Sequence, residues 1–419
     1  MIDMAEYYNK NTPEYRKLLE NPHRIYKIRL ELLSYNEQVI GEITKDLSVS
    51  ASGQISINYN QITRRTCSLS LINVDSKYIP SVNNLIWFNR KFKIWIGVAN
   101  LEGDIYWWSY GIFYTQSAKS DKHTLNIEGI DKGGALDGSL KTSMTGTQFI
   151  IPPNQPIATC IKDALMLDMS TLVPFDTQVT GACMPIDPIE PIVDTDYNSE
   201  YVQSEITIDE NNYIADLFVA FAEGYGADIY YNTEGHLVLT HKINVSRSDE
   251  YRFVGHQWEY SDIAYLYSDC QVEYQFDGCN VVTVYTNASS EENVSYTAAN
   301  NNPASPLRVN AVGVRRMESQ EMNYVDVSTS EMRSRCKAYA DYLLAKESMV
   351  GMNVTFQSAI IPHMDVNKTI GLTDSIQGFE NETFVVQSIT LPLAAGLMTV
   401  TATNISWLPN DTNLEGLGV

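Results

Sequence analysis

The sequence predicts a mainly β protein in which two β-barrel domains flank a small α+β domain. Three observations lead to this prediction. Alternating apolar and polar residues recur in short runs over 24–149 and again over 250–405, with turn residues between them. Apolar residues at helical spacing are concentrated between these two segments. The length of 419 residues is also too great for one hydrophobic core.

The chain begins with a predicted helical lead-in, residues 1–23, followed by the first predicted barrel, residues 24–149. In the lead-in, Thr12 suits the N-cap, Pro13 suits the first helical position, and Tyr15, Leu18 and Leu19 form one apolar face. The barrel strands are predicted from their alternation and their bounding turns. They are residues 25–33, 39–43, 54–59, 66–72, 92–98, 105–108, 111–114 and 124–127.

Residues 150–249 form the predicted α+β domain. One helix is predicted over 156–169, and a second contains the apolar stripe Ile214, Leu217, Phe218, Phe221 and Tyr225. Residues 171–204 contain several prolines without a clear period and are predicted to be an extended loop. A hairpin with strands 227–231 and 236–240 completes the domain.

Residues 250–405 form the second predicted barrel, and residues 406–419 a polar tail. A capping box, Ser328 to Glu331, starts a helix whose stripe is Met332, Cys336, Tyr339 and Leu343. We expect this stripe to pack against the barrel. The strands are predicted at 279–285, 309–314, 352–360, 369–373, 384–391 and 397–402.

The two predicted barrels contain a short internal echo. Residues 113–117 end in Gln116-Ser117 and precede the alternating run 124–127, while residues 384–388 end in Gln387-Ser388 and precede 399–402. Chance and duplication both explain such an echo in a β-rich chain. If the two segments are duplicates, their strands should have the same order.

The charge distribution excludes several classes of function. The chain has 51 acidic and 29 basic residues, a net charge of −22. Residues 163–241 contain fifteen acids and no Lys or Arg. Such a chain is poorly suited to stable nucleic-acid binding or to an anionic membrane surface. No apolar stretch is long enough for a transmembrane helix, and the N-terminus has no signal-peptide pattern.

The sequence contains no pattern that assigns catalytic, cofactor-binding or metal-binding residues. Residues 129–134 lack the spacing of a phosphate-binding loop, and a turn after a strand is expected there. His236 and His241 would lie on opposite faces of a strand, and Asp194-Thr195-Asp196 starts a calcium loop without completing it. We therefore predict no catalytic residues, no cofactor and no metal.

Two alternatives remain open from the residues alone. Trp87, Trp95, Trp107 and Trp108 suit either sheet packing or stacking on sugars, and the many carboxylates allow a glycosidase pair. A carbohydrate-active protein, either a cell-wall glycosidase or a sugar-binding module, is therefore the alternative to a structural protein. The spacing of Cys270 and Cys279 also permits a disulfide bridge without showing one.

Three groups of segments together resemble the baseplate hub or tail-tip hub proteins of tailed bacteriophages. The first group is residues 24–33 with 86–88. The second is residues 92–98 with 110–114 and 127–132. The third is residues 339–346 with 361–366 and 384–393.

The resemblance implies a non-enzymatic structural protein that forms a homotrimeric ring. Two tail-tube-like barrels per chain would give a pseudo-sixfold ring that joins the tail tube to the spike or tip and lets DNA pass. The implied partners are the tail tube protein, the tail spike or tip protein, the tape-measure protein and other baseplate proteins. The implied location is the virion tail, after assembly in the host cytoplasm.

Overall fold

A computed structural model shows a chain dominated by β-strands. No helix in its described part is long and apolar enough to cross a membrane. The described residues are 13–20, 24–47, 53–74, 77–81, 84–88, 90–100, 102–121, 123–140, 149–166, 173–174, 186–197, 200–202, 205–209, 212–225, 227–241, 251–255, 264–286, 293–303, 305, 307–322, 328–348, 351–393 and 396–404.

The N-terminal helix α1 (Pro13–Glu20) packs at the junction of the two barrels. Tyr15 and Leu19 are fully buried, as the predicted apolar face requires. The Tyr15 hydroxyl lies 3.0 Å from Nδ1 of His363, and its ring lies 5.3 Å from the Trp108 ring. The predicted N-cap Thr12 lies outside the described residues.

The first group of strands forms a barrel with the order β2-β1-β5-β6-β7-β4-β3. The segment after β2 closes it, because Leu47 forms an antiparallel bridge with Leu71 of β4. The two runs predicted at 105–108 and 111–114 belong to one long strand, β6, with a bulge opposite β5. The strands are β1 (Ile25–Leu33), β2 (Val39–Glu42), β3 (Gln54–Asn58), β4 (Arg65–Ile72), β5 (Lys91–Ala99), β6 (Ile105–Ser120) and β7 (Thr124–Asp131).

The α+β part packs against the first barrel. Its core joins apolar residues of both helices to Tyr114, Ile130 and Leu136 of the barrel side. Three short strands pair in the order β11-β8-β9 and three in the order β10-β13-β12. The elements are β8 (Phe149–Ile151), α2 (Ile157–Met166), β9 (Val173–Pro174), β10 (Ile192–Val193), β11 (Ile206–Ile208), α3 (Ile214–Tyr225), β12 (Ala227–Tyr231) and β13 (Leu237–His241).

The second group of strands closes into a six-membered ring. The order is β21-β20-β14-β15-β19-β22, and β22 pairs back to β21. A hydrophobic core of buried side chains continues through both barrels. The strands are β14 (Tyr251–Gly255), β15 (Ala264–Gln275), β19 (Gly351–Ser358), β20 (Thr369–Asp374), β21 (Phe379–Pro392) and β22 (Met398–Asn404).

A small unit is inserted between β15 and β19. Three strands pair in the order β17-β16-β18, and helix α5 packs on β16 and β17 rather than on a barrel. The prediction that this helix packs against the barrel is therefore wrong. The elements are β16 (Val281–Thr286), β17 (Ser295–Ala299), α4 (Val309–Val312), β18 (Met317–Met322) and α5 (Thr329–Glu347).

The buried stripe of α5 also differs from the predicted one. Met332 and Cys336 are fully buried as expected, but the stripe continues through Ala340 and Leu344. Tyr339 and Leu343 are only partly buried beside it. In addition, the strand predicted at 309–314 is the short helix α4, and a strand follows at β18.

The two barrels have the same strand order. In chain order, β1, β3, β4, β5, β6 and β7 correspond to β14, β15, β19, β20, β21 and β22, and both sets are arranged in space in the same sequence. One direction differs, since β1 is antiparallel to β5 whereas β14 is parallel to β20. The two barrels therefore have the common strand order that is expected if the two segments are duplicates.

The echo itself lies at the same structural position in both barrels. The pairing of β6 with β7 shifts register between Thr115 and Ser117, which places a bulge at Gln116. The pairing of β21 with β22 shifts between Val386 and Ser388, which places a bulge at Gln387. We call residues equivalent when they share a position in these registers.

Candidate functional site

A cluster of buried charges lies where the first barrel meets the α+β part. In β5, alternation places Phe92 and Ile94 on the core side and Lys91 and Lys93 on the opposite face. The α+β part covers that opposite face, so Lys91 is 0% exposed. Charged side chains are rarely enclosed in this way unless they are paired.

Lys132 and Glu37 form the centre of this cluster. The Lys132 ammonium lies 2.6 Å from Glu37 Oε1 and 2.8 Å from Asp187 Oδ2, and it donates a hydrogen bond to the Gly235 carbonyl at 2.6 Å. Lys91 approaches the same Glu37 oxygen at 2.7 Å. One carboxylate therefore bridges two lysines inside the protein.

Further ion pairs extend the cluster to both sides. Arg64 pairs with Asp228 at 2.5 Å, and Lys93 pairs with Glu234 at 2.5 Å. Arg65 donates a hydrogen bond to the Tyr231 carbonyl at 2.7 Å and also pairs with Asp365. Since Tyr231 belongs to β12 and Asp365 follows β19, the Arg65 guanidinium connects the first barrel to both other parts.

Asp131 lies at the end of β7 and caps the turn that follows. Its carboxylate accepts hydrogen bonds from the backbone N–H groups of Arg65 at 2.8 Å and Gly133 at 2.9 Å. Burial raises the pKa of Asp131 to about 7, although Arg65 and the backbone donors act in the opposite direction. The expected turn after a strand is observed as a capped 3₁₀ turn over Lys132–Ala135, while residues 129–131 are the end of β7.

Lys91 responds to the same enclosure. Burial lowers the pKa of Lys91, and the neighbouring Lys132 lowers it further, while Glu37 and Asp187 oppose both effects. The paired carboxylates therefore keep both lysines compatible with burial. At the centre of the cluster the side chains of Lys91, Lys132 and Asp187 are at most 2% exposed, so the chemistry of this centre is that of a structural ionic joint.

The cluster accounts for part of the acidic segment 163–241. Asp187, Asp228 and Glu234 all belong to that segment, and each is paired with a cation of the first barrel. A fourth acid, Glu190, pairs on the surface with Lys162. These acids balance the cations of a neighbouring part of the same chain.

The described residues that were considered for metal binding have other partners. His236 Nδ1 contacts the Glu190 carbonyl at 2.9 Å, and Asp194 contacts the Thr240 hydroxyl at 3.4 Å. The side chain of His241 lies outside the described part. Among the residues that the structure describes, no group of three His, Cys, Asp or Glu side chains could hold a metal ion.

The tryptophans and the cysteine pair singled out in the sequence lie in ordinary structural surroundings. Trp108 is buried, while the Arg29 guanidinium lies over the rings of Trp95 at 4.8 Å and Trp107 at 5.2 Å. This arrangement occupies one face of each ring that a sugar would need. Cys270 and Cys279 are both free thiols, so the open alternative of a bridge between them is not realised.

Comparison with known proteins assigns the fold. No protein-family model matches the chain, and no curated protein matches it. Among solved structures, a tail protein from Neisseria meningitidis MC58 is 11% identical with a TM-score of 0.54, covering 90% of this chain and 96% of that one. The 43 kDa tail protein of prophage MuSo2 from Shewanella oneidensis is 13% identical with a TM-score of 0.52, covering 91% and 98%.

A third similar structure is the lidded PdpA–VgrG complex of Francisella. It is 9% identical with a TM-score of 0.51, and the match covers 96% of this chain but 55% of that one. The chain therefore has the fold of phage tail proteins. The resemblance to tail hub proteins predicted from the sequence is confirmed at the level of the fold.

Proposed function

We propose that the chain is a structural hub protein of a phage tail baseplate or tail tip, or of a related injection device. In this proposal three chains form a ring that joins the tail tube to the spike or tip and leaves a channel for DNA. The observation that carries the proposal is the pair of barrels with one strand order, fused edge to edge in one sheet.

The number of chains follows from this duplication. A chain with two equivalent barrels presents two equivalent surfaces, so three chains would supply the six surfaces that a hexameric tube requires. Closed rings of this kind need head-to-tail contacts between copies. The buried ionic cluster supports the proposal because it fixes the α+β part on the outside of the first barrel without using the barrel's sheet edges.

The proposal includes partners and excludes catalysis. The partners are further copies of this chain, the tube protein, the spike or tip protein, the tape-measure protein and other baseplate proteins, in the virion tail. The similar structures support this, since two are tail proteins and one is a complex with VgrG. We propose no enzymatic activity.

The acidity of the chain supports passage rather than retention of DNA. Asp187, Asp228 and Glu234 are occupied at the ionic cluster, so the proposal assigns the repulsive potential of the channel to the other acids. Only charges within about 8–10 Å of the DNA act on it at physiological salt. Measurable DNA affinity at moderate salt would contradict this part of the proposal.

Size-exclusion chromatography with light scattering tests the proposed assembly. The expected species has three times the chain mass of 47.2 kDa and no turnover of peptidoglycan. A monomer that hydrolyses peptidoglycan would overturn the proposal and favour the carbohydrate-active alternative.

A further inference from the structure

The two barrels of one chain are joined by direct strand pairing. Strand β3 pairs antiparallel with the end of β21, with Gln54 opposite Pro392 and Asn58 opposite Ser388. The pairing continues at both ends, since Tyr59 N donates to the Gln387 carbonyl and Leu393 N donates to the Gly53 carbonyl, each at 2.8 Å. The apolar residues of this joint are enclosed, namely Ile55, Ile57, Ile389 and Leu391.

Each side of this joint has an equivalent in the other barrel. Strand β3 is equivalent to β15, because Gln54 pairs with Ser68 of β4 as Gln271 pairs with Thr355 of β19. The two segments begin with the same residue and then alternate in the same way: Gln54-Ile55-Ser56-Ile57-Asn58-Tyr59 corresponds to Gln271-Val272-Glu273-Tyr274-Gln275-Phe276. The end of β21, residues 388–392, is equivalent to the end of β6, residues 117–120, and the next residue, Asp121.

Both equivalents have a free edge in the described part of a single chain. Beyond Tyr267, β15 pairs only with β19 among the described strands. Beyond Thr115, β6 pairs only with β7, and residues 116–120 are exposed on both faces. Tyr274 is 52% exposed and Phe276 is 74% exposed, whereas the equivalent Ile57 is 2% exposed.

We propose that the end of β6 in one chain pairs antiparallel with β15 of a second copy, reproducing between chains the joint that β21 and β3 form within one chain. Sheet edges with free N–H and C=O groups pair readily with another strand. The use of three copies to close the ring rests on the proposed function, whereas the pairing itself rests on the equivalence of the strands.

The register within the chain fixes the register between chains. Transferring it places Ser117 opposite Gln275, Ala118 opposite Tyr274 and Lys119 opposite Glu273. The pair of Lys119 and Glu273 brings opposite charges directly across the two strands, and the pair of Ala118 and Tyr274 matches a small side chain with a large one. Opposite charges directly across two strands are stabilising, so the Lys119–Glu273 pair favours this register.

Charge reversal tests this register. Lys119→Glu or Glu273→Lys alone should place like charges opposite each other and weaken each contact about fivefold, or about a hundredfold for a three-contact ring. The double variant, Lys119→Glu with Glu273→Lys, should restore assembly. Lys45→Glu and Glu102→Lys are matched controls, since both residues are exposed elsewhere on the first barrel, and they should leave assembly unchanged.

A disulfide between two different chains tests the same contact directly. Ser117→Cys in one chain and Gln275→Cys in another, both with Cys270→Ser, should give a covalent dimer after mixing and oxidation. A mixture of Asp104→Cys with Gln275→Cys should not. The measurements are the oligomer mass by light scattering and the covalent mass by denaturing electrophoresis.

The outcomes separate this inference from the proposed function. Trimers that show neither rescue by the double variant nor the disulfide overturn the strand pairing and leave the hub proposal standing. Rescue and disulfide formation in an assembly of two or four chains support the pairing and overturn the trimeric hub. A chain that stays monomeric at millimolar concentration overturns the pairing.

Discussion

The first and second barrels have one strand order but different polar chemistry at equivalent positions. At the end of the last strand, Asp131 accepts a hydrogen bond from the Arg65 backbone at 2.8 Å in the first barrel. In the second barrel, Asn404 accepts the equivalent bond from the Met352 backbone, also at 2.8 Å. The bond has the same geometry in both barrels, but only the first has an ionisable acceptor.

The difference reflects what covers each barrel. The α+β part covers the first barrel and brings Asp187, Asp228 and Glu234 to its cations. The second barrel instead carries an inserted unit with its own apolar core, centred on α5 and β16. The shared strands therefore form a common framework, and the covering parts determine which positions are charged.

The largest expected effect comes from removing a central charge of the first barrel. Lys132→Met leaves Asp187 without its ammonium partner and Glu37 with Lys91 alone, and an unpaired buried carboxylate costs about 3–5 kcal/mol of the free energy of unfolding. Chemical denaturation measures the loss. Lys162→Met, which removes an exposed pair with Glu190, is the control and should change stability far less. Equal losses of stability in the two variants would show that the buried cluster contributes no more to stability than an exposed ion pair.

A smaller effect is expected in the inserted unit. Leu344 is fully buried in its core, so Leu344→Ala should lower stability by about 2–4 kcal/mol. Leu343→Ala is the matched control and should cost less, since Leu343 is only partly buried. Hydrogen exchange should show reduced protection in α5 and β16. Reduced protection spread equally over both barrels would contradict the separation of the inserted unit from the barrels.

The pH dependence of stability tests the buried carboxyl of Asp131. Because burial raises the pKa of Asp131 from 3.8 to about 7, the folded chain holds a proton between these values that the unfolded chain releases. The stability contributed by this group is complete below about pH 4 and declines as the pH rises to 7. Chemical denaturation between pH 5 and 8 should show that the free energy of unfolding declines less with rising pH in Asp131→Asn than in the unchanged chain.

A carboxyl introduced at the equivalent position of the second barrel provides the reciprocal control. Asn404→Asp places a carboxyl at the equivalent bond, where the residue is 9% exposed, and should add a decline with rising pH. Unchanged pH profiles in both variants would contradict the assignment of the titration to this position.

Strand positions could be predicted from the sequence because alternation is local. The runs in β1, β3 and β5 were predicted within a few residues, and the echo at Gln116 and Gln387 marked a real bulge in both barrels. The second echo, between 54–59 and 271–276, was missed because only Gln54 and Gln271 are identical in it. A comparison of apolar pattern rather than of residue identity would have found it.

The ionic cluster could not be predicted from local patterns. Its members Glu37, Lys91, Lys132 and Asp187 are far apart in the chain, and charged residues are usually exposed. The one available signal was Lys91 and Lys93 alternating with Phe92 and Ile94 in a strand that is otherwise apolar. The helix α5 was placed on the wrong partner for a related reason, since sequence does not show which sheet an apolar stripe meets.

The central claim is that one joint, repeated within and between chains, builds a ring of alternating first and second barrels. Electron cryomicroscopy of the purified assembly tests it most directly. The account predicts three chains and six barrels around a central channel, with β15 of each chain continuing into β6 of the next. A ring in which neighbouring chains meet through the α+β part or the inserted unit, with these two edges left free, would contradict it.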